Sequence, residues 1–393
     1  SCFACGPRLW FAAADGVPRT AGADEALSAS ALILVGGGIL AVRGVGGFQL
    51  AVDATDERAV ALLRERKRRE AKPLAVMVRS LEDAARLGRV GAAEAELLAS
   101  PERPIVLLER LEGGPLAAGV APGLGWVGVM LPTTPLHFLL LDRLRRPLVM
   151  TSGNMSEEPI ATGNEEALAR LAGIADGFLL HDREIVSRYD DSVVRPTGVG
   201  PVLLRRARGY APLPLDLPVA SPVPFLAVGP HLKNHFTLVH GHRAFVSQHI
   251  GDLENLETLE HFHASLERFK ALFRIEPEAV VHDLHPGYFS TRVARESGLR
   301  VLPAVQHHHA HAAAVMAEHG RTGPVLALAF DGVGYGEDGT VWGGELLQAD
   351  LLGFRRVGHL RPAPLPGGGL AARNPWRAAL GYLMLDQHLA PAF

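Results

Sequence analysis

The sequence predicts an α/β protein in two successive parts, and three observations carry that reading. From about residue 24 to about residue 205, short apolar runs with strand character alternate with stretches of helical periodicity. Between residues 211 and 224, Pro212, Pro214, Pro218, Pro222 and Pro224 stand among small residues, a density that sustains neither a helix nor a central strand. From residue 225 a new pattern begins, with three strands and a long amphipathic helix ahead of a second alternation. At 393 residues, 48% hydrophobic and 21% charged, the chain has enough apolar material for two or three domains.

Taken in order, the first part opens with an apolar helix over 24–40 that runs into Gly36-Gly37-Gly38. Strand Ile39–Arg43, a glycine turn at Gly44–Gly47 and strand Phe48–Val52 follow, then a helix from about Asp56 to Arg69. Leu74–Val78 and Ile105–Leu108 read as strands, with helical Leu81–Leu87 and Glu94–Ala99 between them. Helix Leu136–Leu144, strand Leu148–Met150, helix Glu165–Leu171 and strand Gly177–Leu180 continue the alternation. Val193–Arg205 reads as a hairpin around Thr197–Gly200. This domain is expected to fill 21–210, with 211–224 as a linker or an extended crossing segment. In 225–393, strands Phe225–Val228, Phe236–His240 and Ala244–Gln248, the last two joined by a turn at Gly241, precede a helix over about Leu253–Phe273. Strand Val280–His282, helix Ser290–Glu296, strand Val301–Val305, helix His308–His319 and strand Val325–Phe330 complete the run. That order fits the first half of an actin-like ATPase domain.

Charge and cysteine usage narrow the setting. Lys and Arg number 39 against 42 Asp and Glu, a formal net charge of −3, which gives no global pull toward nucleic acid or anionic lipid. The longest apolar runs, such as Ala31–Val42, are short and broken by glycine, so no membrane span is expected, and no signal peptide is visible. Two cysteines exclude a disulfide scaffold and point to a reducing cytoplasm. Cys2 and Cys5 form a Cys-x-x-Cys pair, which supplies two of the four ligands that tetrahedral zinc requires. The pair is either an inert tail or one half of a zinc module.

Four clusters can carry chemistry. Arg64–Lys72 holds six cations in nine residues at a helix end. It is either a solvated helix face or a phosphate clamp, in which Lys67, Arg69 and Lys72 converge on a triphosphate and steady departing pyrophosphate. Thr151-Ser152-Gly153-Asn154 follows a strand and offers hydroxyl, backbone and amide donors to an anion, or is an ordinary polar loop. Arg188–Arg195 sets paired aspartates, Asp190 and Asp191, beside arginines, a third candidate that can also be read as a surface ion-pair network. The strongest signal is Gln306-His307-His308-His309-Ala310-His311. His307 and His311, four apart at a helix start, project from one face with metal-binding geometry, and Asp331, after an apolar strand, is a candidate acidic ligand. His308 stands where a His-Glu-x-x-His protease has its glutamate, which disfavours peptide hydrolysis.

Together these clusters resemble known families. Lys67-Arg68-Arg69 with Lys72-Pro73, and Ser152-Gly153-Asn154, are similar to the Lys-x-Arg and Ser-x-Asn motifs of the YrdC family over about residues 25–210. Gly44–Leu50, Arg188–Arg195 and Leu204–Tyr210 resemble its HypF branch. Over about 225–393, Leu232-Lys233-Asn234, Ser247–Leu253, His282–Tyr288, the histidine cluster, Asp331–Gly336, Val341–Glu345, Leu365–Gly368 and Asn374–Arg377 resemble a TsaD-like domain in its HypF form. His235 stands where that family usually has threonine.

The resemblance implies a carbamoyltransferase of [NiFe]-hydrogenase maturation. Carbamoyl phosphate would yield carbamate, the YrdC-like domain would adenylate it with ATP and Mg, and the TsaD-like domain would pass the carbamoyl group to the C-terminal cysteine of HypE. It implies catalytic Lys67 and Arg69, and a nucleotide set of these two with Lys72, Ser152, Asn154, Arg188, Lys233 and Asn234. Metal ligands His307, His311 and Asp331 would hold iron or zinc. Residues 1–20, with Cys2 and Cys5, would be the remnant of a zinc-finger module, and the chain a fragment with an incomplete second site. One rival reading is an antibiotic O-carbamoyltransferase, which shares both domains but donates to a sugar hydroxyl. Two further rivals are a tRNA threonylcarbamoylation factor and a scaffold that docks HypE without turning over ATP.

Overall fold

The structure, a computed structural model, describes residues 6–20, 22–155 and 158–385, and Cys2 and Cys5 lie outside them. Two compact units emerge. The first takes the chain up to Leu213 together with Leu232–His235 and Val246–Phe273; the second takes Pro214–His231, Phe236–Phe245 and the chain from Arg274 onward. The sequence-based boundary near 210 therefore misses a loop and a helix that pack with the first unit.

In chain order the first unit contains β1 (Leu9–Ala13), α1 (Ala23–Val35), β2 (Leu40–Arg43), β3 (Phe48–Asp53) and α2 (Glu57–Lys67). Next come β4 (Ala75–Met77), α3 (Leu81–Ala85), α4 (Ala92–Ala99), β5 (Ile105–Glu109) and β6 (Trp126–Met130). Then follow α5 (Pro135–Leu144), β7 (Leu148–Ser152), α6 (Asn164–Arg170), β8 (Gly177–His181), β9 (Val193–Thr197) and β10 (Gly200–Arg205). These strands form one mixed ten-stranded sheet in the order β1-β8-β2-β3-β7-β4-β6-β5-β9-β10. β1 pairs antiparallel with β8, so Leu9–Ala13, assigned from sequence to a zinc-module remnant, is an edge strand of this sheet. The sequence pattern gave no sign of β6.

Alternation across the strands builds two cores. Ala41, Leu50 and Val52 face the layer that buries Ala59, Val60 and Leu63 of α2, whereas Leu40, Val42 and Ala51 face Leu27 and Leu34 of α1 and Leu140 and Leu141 of α5. A sheet covered on both faces needs strands apolar at successive positions, as Leu40-Ala41-Val42 is. α2 begins where the Asp56 carboxylate accepts from the Arg58 and Ala59 N–H groups, and ends where Arg68 turns left-handed at φ 52°. That stop makes Lys67 the last helical residue.

The second unit holds β11 (Leu215–Ala227) and β12 (Thr237–Val246), with α7 (Leu256–Phe273) falling in the first unit. β13 (Ala279–Val281), α8 (Phe289–Glu296), β14 (Arg300–Val301), α9 (His307–Glu318) and β15 (Val325–Ala329) follow. The short β16 (Gly334–Tyr335) and β17 (Val341–Trp342) precede β18 (Glu345–Ala349) and β19 (Phe354–His359). One sheet has the order β12-β11-β13-β14, and another β15-β18-β19.

Here two sequence-based expectations fail. The proline-dense stretch is a strand, and β12 is one strand rather than a hairpin turning at Gly241. Their antiparallel register shifts between Asp216 and Ser221 and again between Ser221 and Phe225, opposite Gly241 at φ 58°. Pro218, Pro222 and Pro224 fall in these irregular stretches, where a missing N–H breaks no ladder bond, and Gly241 supplies the bulge conformation.

Candidate functional site

The first site grows from the end of α2 and the end of β7. Lys67 is only 2% exposed, and its ammonium donates to Ser152 O at 2.5 Å, Asn154 O at 2.7 Å and Asn154 Oδ1 at 2.7 Å. Ser152 Oγ donates to the same Oδ1 at 2.7 Å, and Asn154 Nδ2 donates to Glu158 O at 2.5 Å. Gly153 sits so close to Phe48 that a Cβ would lie 2.7 Å from the Phe48 carbonyl oxygen, so only glycine fits between the loop and β3. Arg69 donates to Thr151 Oγ1 at 3.1 Å and to Pro73 O at 2.7 Å. Arg64 folds the following turn by donating to Arg69 O at 2.8 Å and Lys72 O at 3.1 Å. Burial, then the Arg69 guanidinium, pushes the Lys67 pKa down to about 7.

The structure thus brings Lys67, Arg69, Ser152 and Asn154 together, but corrects the expected form of the clamp. The donors of Lys67 end on backbone and amide oxygens, so this lysine braces the Ser152–Asn154 loop instead of reaching outward.

Beside the loop lies a cleft of about 370 Å³ lined by Lys72, Asn154, Glu158, Arg188, Asp190 and Arg205, and by Lys233, His235, His249 and His261. Lys233, which the resemblance assigns to the second domain, therefore faces the same cleft as Lys72 and Arg188. Asn234 is fully buried and pairs through its backbone with Ile250 and Gly251. Burial pushes the His249 imidazole down to about 3 and His261 to about 4, so both are neutral at ordinary pH. Sequence reasoning did not choose Arg205, His249 or His261 as site residues, although Arg205 and His249 lie in stretches that carry the resemblance; His261 has no local signature.

The second site starts at the N-terminus of α9. The Gln306 side chain caps the helix by accepting from His309 N–H at 2.9 Å, and its amide donates to Tyr335 O at 3.2 Å. His307 and His311 then project one turn apart, with ring centroids 4.9 Å from each other. Asp331 follows β15, and the candidate ligand atoms of His307, His311 and Asp331 all lie within 4.8 Å of one another. His307 Nδ1 meets Asp283 Oδ2 at 2.7 Å. Asp283, which sequence reasoning did not choose, lies just after β13; its signal was the His282–Tyr288 stretch.

Two oxygens of Asp331 come within 3.1 Å of His307 Nε2 and 3.0 Å of His308 Nε2, yet both are buried without an aligned hydrogen bond. A carboxylate left unserved beside two imidazole faces has the donor set that divalent zinc or iron takes. Burial raises the Asp331 pKa, but His307 and His308 outweigh it and hold the carboxyl well below the usual range. The Asp283 carboxylate at Nδ1 and the Asp331 carboxylate near Nε2 raise His307 to about 9, so a metal would displace its proton. A largely apolar cavity of about 270 Å³, walled by Ala227, Pro230, Val281, Val305 and Ala310, opens onto His307 and His311. Asp283 thus orients His307 in the carboxylate–histidine manner of metal sites.

Three family models match the chain. The Sua5/YciO/YrdC model, described as telomere recombination, covers residues 32–207, and the HypF Kae1-like domain covers 220–318. The second subdomain of the carbamoyltransferase Kae1-like domain covers 327–391, so the β15-β18-β19 region belongs to that subdomain and not to a first half alone. Carbamoyltransferase HypF2 of Cupriavidus necator is 52% identical over 368 residues, 88% of this chain and 46% of the relative. Carbamoyltransferase HypF of Synechocystis is 47% identical over 362 residues, 92% of this chain and 47% of the relative. A crystal structure of full-length HypF in the phosphate- and nucleotide-bound form matches with a TM-score of 0.93 at 47% identity, covering 98% of this chain and 50% of that one. The chain spans about half the length of the curated relatives it matches. Family models, relatives and fold agree, and the chain belongs to the HypF family, with a YrdC-like domain followed by a Kae1-like one.

Proposed function

We propose that this chain makes a carbamoyl adenylate at its first site and bears the centre for carbamoyl transfer at its second. The single observation that carries the reading is the pairing, in one chain, of the Lys67-braced Ser152–Asn154 loop beside a cationic cleft with a His307–His311–Asp331 centre. In the first reaction a carbamate oxygen attacks the α-phosphorus of ATP, the bond to the β-phosphate oxygen breaks, and pyrophosphate leaves. The loop that Lys67 holds rigid sets Asn154 in the wall of the cationic cleft, and a polar wall fixed beforehand costs no reorganisation as charge shifts.

In the second reaction the thiolate of the HypE C-terminal cysteine attacks the carbamoyl carbon and AMP departs. A divalent metal held by His307, His311 and Asp331 would supply Lewis-acid polarisation of the carbamoyl oxygen. Asp283 keeps the His307 ring turned so that Nε2 faces Asp331. Carbamoyl phosphate is the source of carbamate in this reading, and ATP with Mg the activating nucleotide.

The test supplies ammonium carbamate, Mg and ATP, and follows pyrophosphate release. Carbamate-dependent release is the expected result. Binding of the HypE C-terminal tail without any carbamate-dependent pyrophosphate would replace the enzyme reading with a docking role.

A further inference from the structure

We infer that Gln306 and His308 form a relay that fixes one oxygen of Asp331, so that the other oxygen is left for a metal and His308 itself is not a ligand. The inference rests on the reading of His307, His311 and Asp331 as a metal centre, and it gives each remaining histidine of the cluster a task.

Distance alone does not separate the two neighbouring histidines. His307 Nε2 lies 3.1 Å from Asp331 Oδ2, and His308 Nε2 lies 3.0 Å from Asp331 Oδ1. Two atoms bound to one tetrahedral zinc ion sit about 3.3 Å apart, so either pair has the spacing of two ligands. The other ring nitrogen decides between them, because it dictates where the proton of a neutral imidazole resides.

His307 Nδ1 meets the Asp283 carboxylate, an acceptor, at 2.7 Å. Its proton stays on Nδ1, and Nε2 is left to a metal. His308 Nδ1 instead meets the Gln306 side-chain amide at 2.9 Å. The orientation of that amide is fixed from both ends: its oxygen accepts the His309 N–H at 2.9 Å, and its nitrogen donates to Tyr335 O at 3.2 Å. The second N–H of the amide therefore goes to His308 Nδ1, which accepts, and the ring proton is placed on Nε2. Asp331 Oδ1 is the acceptor that this N–H meets, and no aligned bond leads either atom elsewhere.

The His308 ring has no room to turn away. It is fully buried, and Gln306 is only 4% exposed. Gly334 packs so closely that a Cβ there would overlap the His308 ring, and the Trp342 ring stacks on it with centroids 6.1 Å apart. His309 is spent on the scaffold, with Nε2 2.8 Å from Asp350 O. Of the four histidines, two thus face the metal position, one holds Asp331 and one holds the chain. A carboxylate fixed through one oxygen meets an ion through the other in a single orientation.

The experiment titrates zinc into the full chain against a chromophoric chelator, for wild type, His308→Leu and His308→Gln. It also locates the ring protons of the wild type by long-range proton–nitrogen correlation. Leucine removes the N–H, and glutamine restores one at the same reach. His308→Leu is expected to keep one zinc per chain at about 10–100-fold lower affinity, and His308→Gln to recover most of that loss. The His308 proton is expected on Nε2 with and without zinc, while zinc shifts ring nitrogens of His307 and His311. A zinc-shifted nitrogen in His308, or its proton on Nδ1, overturns the relay, as does wild-type zinc affinity in His308→Leu. Loss of all zinc in both variants makes His308 a ligand and overturns it too. If the wild type binds no zinc, the metal-centre reading falls, and the position of the His308 proton still decides the relay without any variant having to fold.

Discussion

Replacing Lys67 with methionine is expected to lower ATP affinity by about 100-fold or more and to destabilise the first unit. The side chain is 2% exposed and serves three oxygen acceptors, Ser152 O, Asn154 O and Asn154 Oδ1. Each buried acceptor left without a donor costs about 1–3 kcal/mol. Part of that is offset, because the ammonium no longer has to be desolvated, a cost visible in the Lys67 pKa pushed down to about 7 by burial and by Arg69. The net expected loss is about 2 kcal/mol, read as a lower denaturation midpoint in urea. The effect on nucleotide binding is larger than the effect on stability, since a released Ser152–Asn154 loop no longer holds Asn154 in the wall of the cationic cleft. Calorimetric titration with ATP checks this, and wild-type affinity in the methionine variant would exclude the brace.

Asp331→Ala is expected to abolish stoichiometric divalent metal at the second site, and Asp283→Asn to weaken it by about 10–100-fold. The two act differently. Asp331 brings two buried oxygens to the imidazole faces, so its removal deletes a ligand and a charge. Asp283 touches His307 at Nδ1, 2.7 Å away, and sets which nitrogen is turned toward Asp331. Metal content by mass spectrometry after dialysis, and chelator competition for the retained fraction, separate loss of a ligand from loss of its orientation. Equal metal affinity in wild type and both variants would rule out this centre.

How much of this was legible beforehand depends on distance along the chain. His307 and His311 were visible because a helix places residues four apart on one face whatever lies around it. The helix holding Lys67, its start at Asp56, and the strand before Ser152 followed from caps and periodicity, which are decided within a few residues. What Lys67 does was not visible, because its acceptors lie 85 and 87 residues away and only the packing of α2 on β3, the neighbour of β7, turns its ammonium inward. Asp283 escaped for the same reason, reaching His307 across 24 residues through the end of a parallel strand. Composition alone rejected β11, because the irregular pairing that accommodates its prolines exists only once β12 lies alongside. Lys233 shows the limit most sharply: motif likeness placed it with the domain that follows it, whereas the backbone bonds around Asp252 and Gly251 place it in the first cleft. The sequence by itself determined most of the element types, β6 and β11 excepted, and the side-chain chemistry of both clusters, since these rest on local periodicity and residue type. Tertiary structure decided which donors were spent on the scaffold and which were left for a ligand, because a buried polar group must take the partner that packing brings to it.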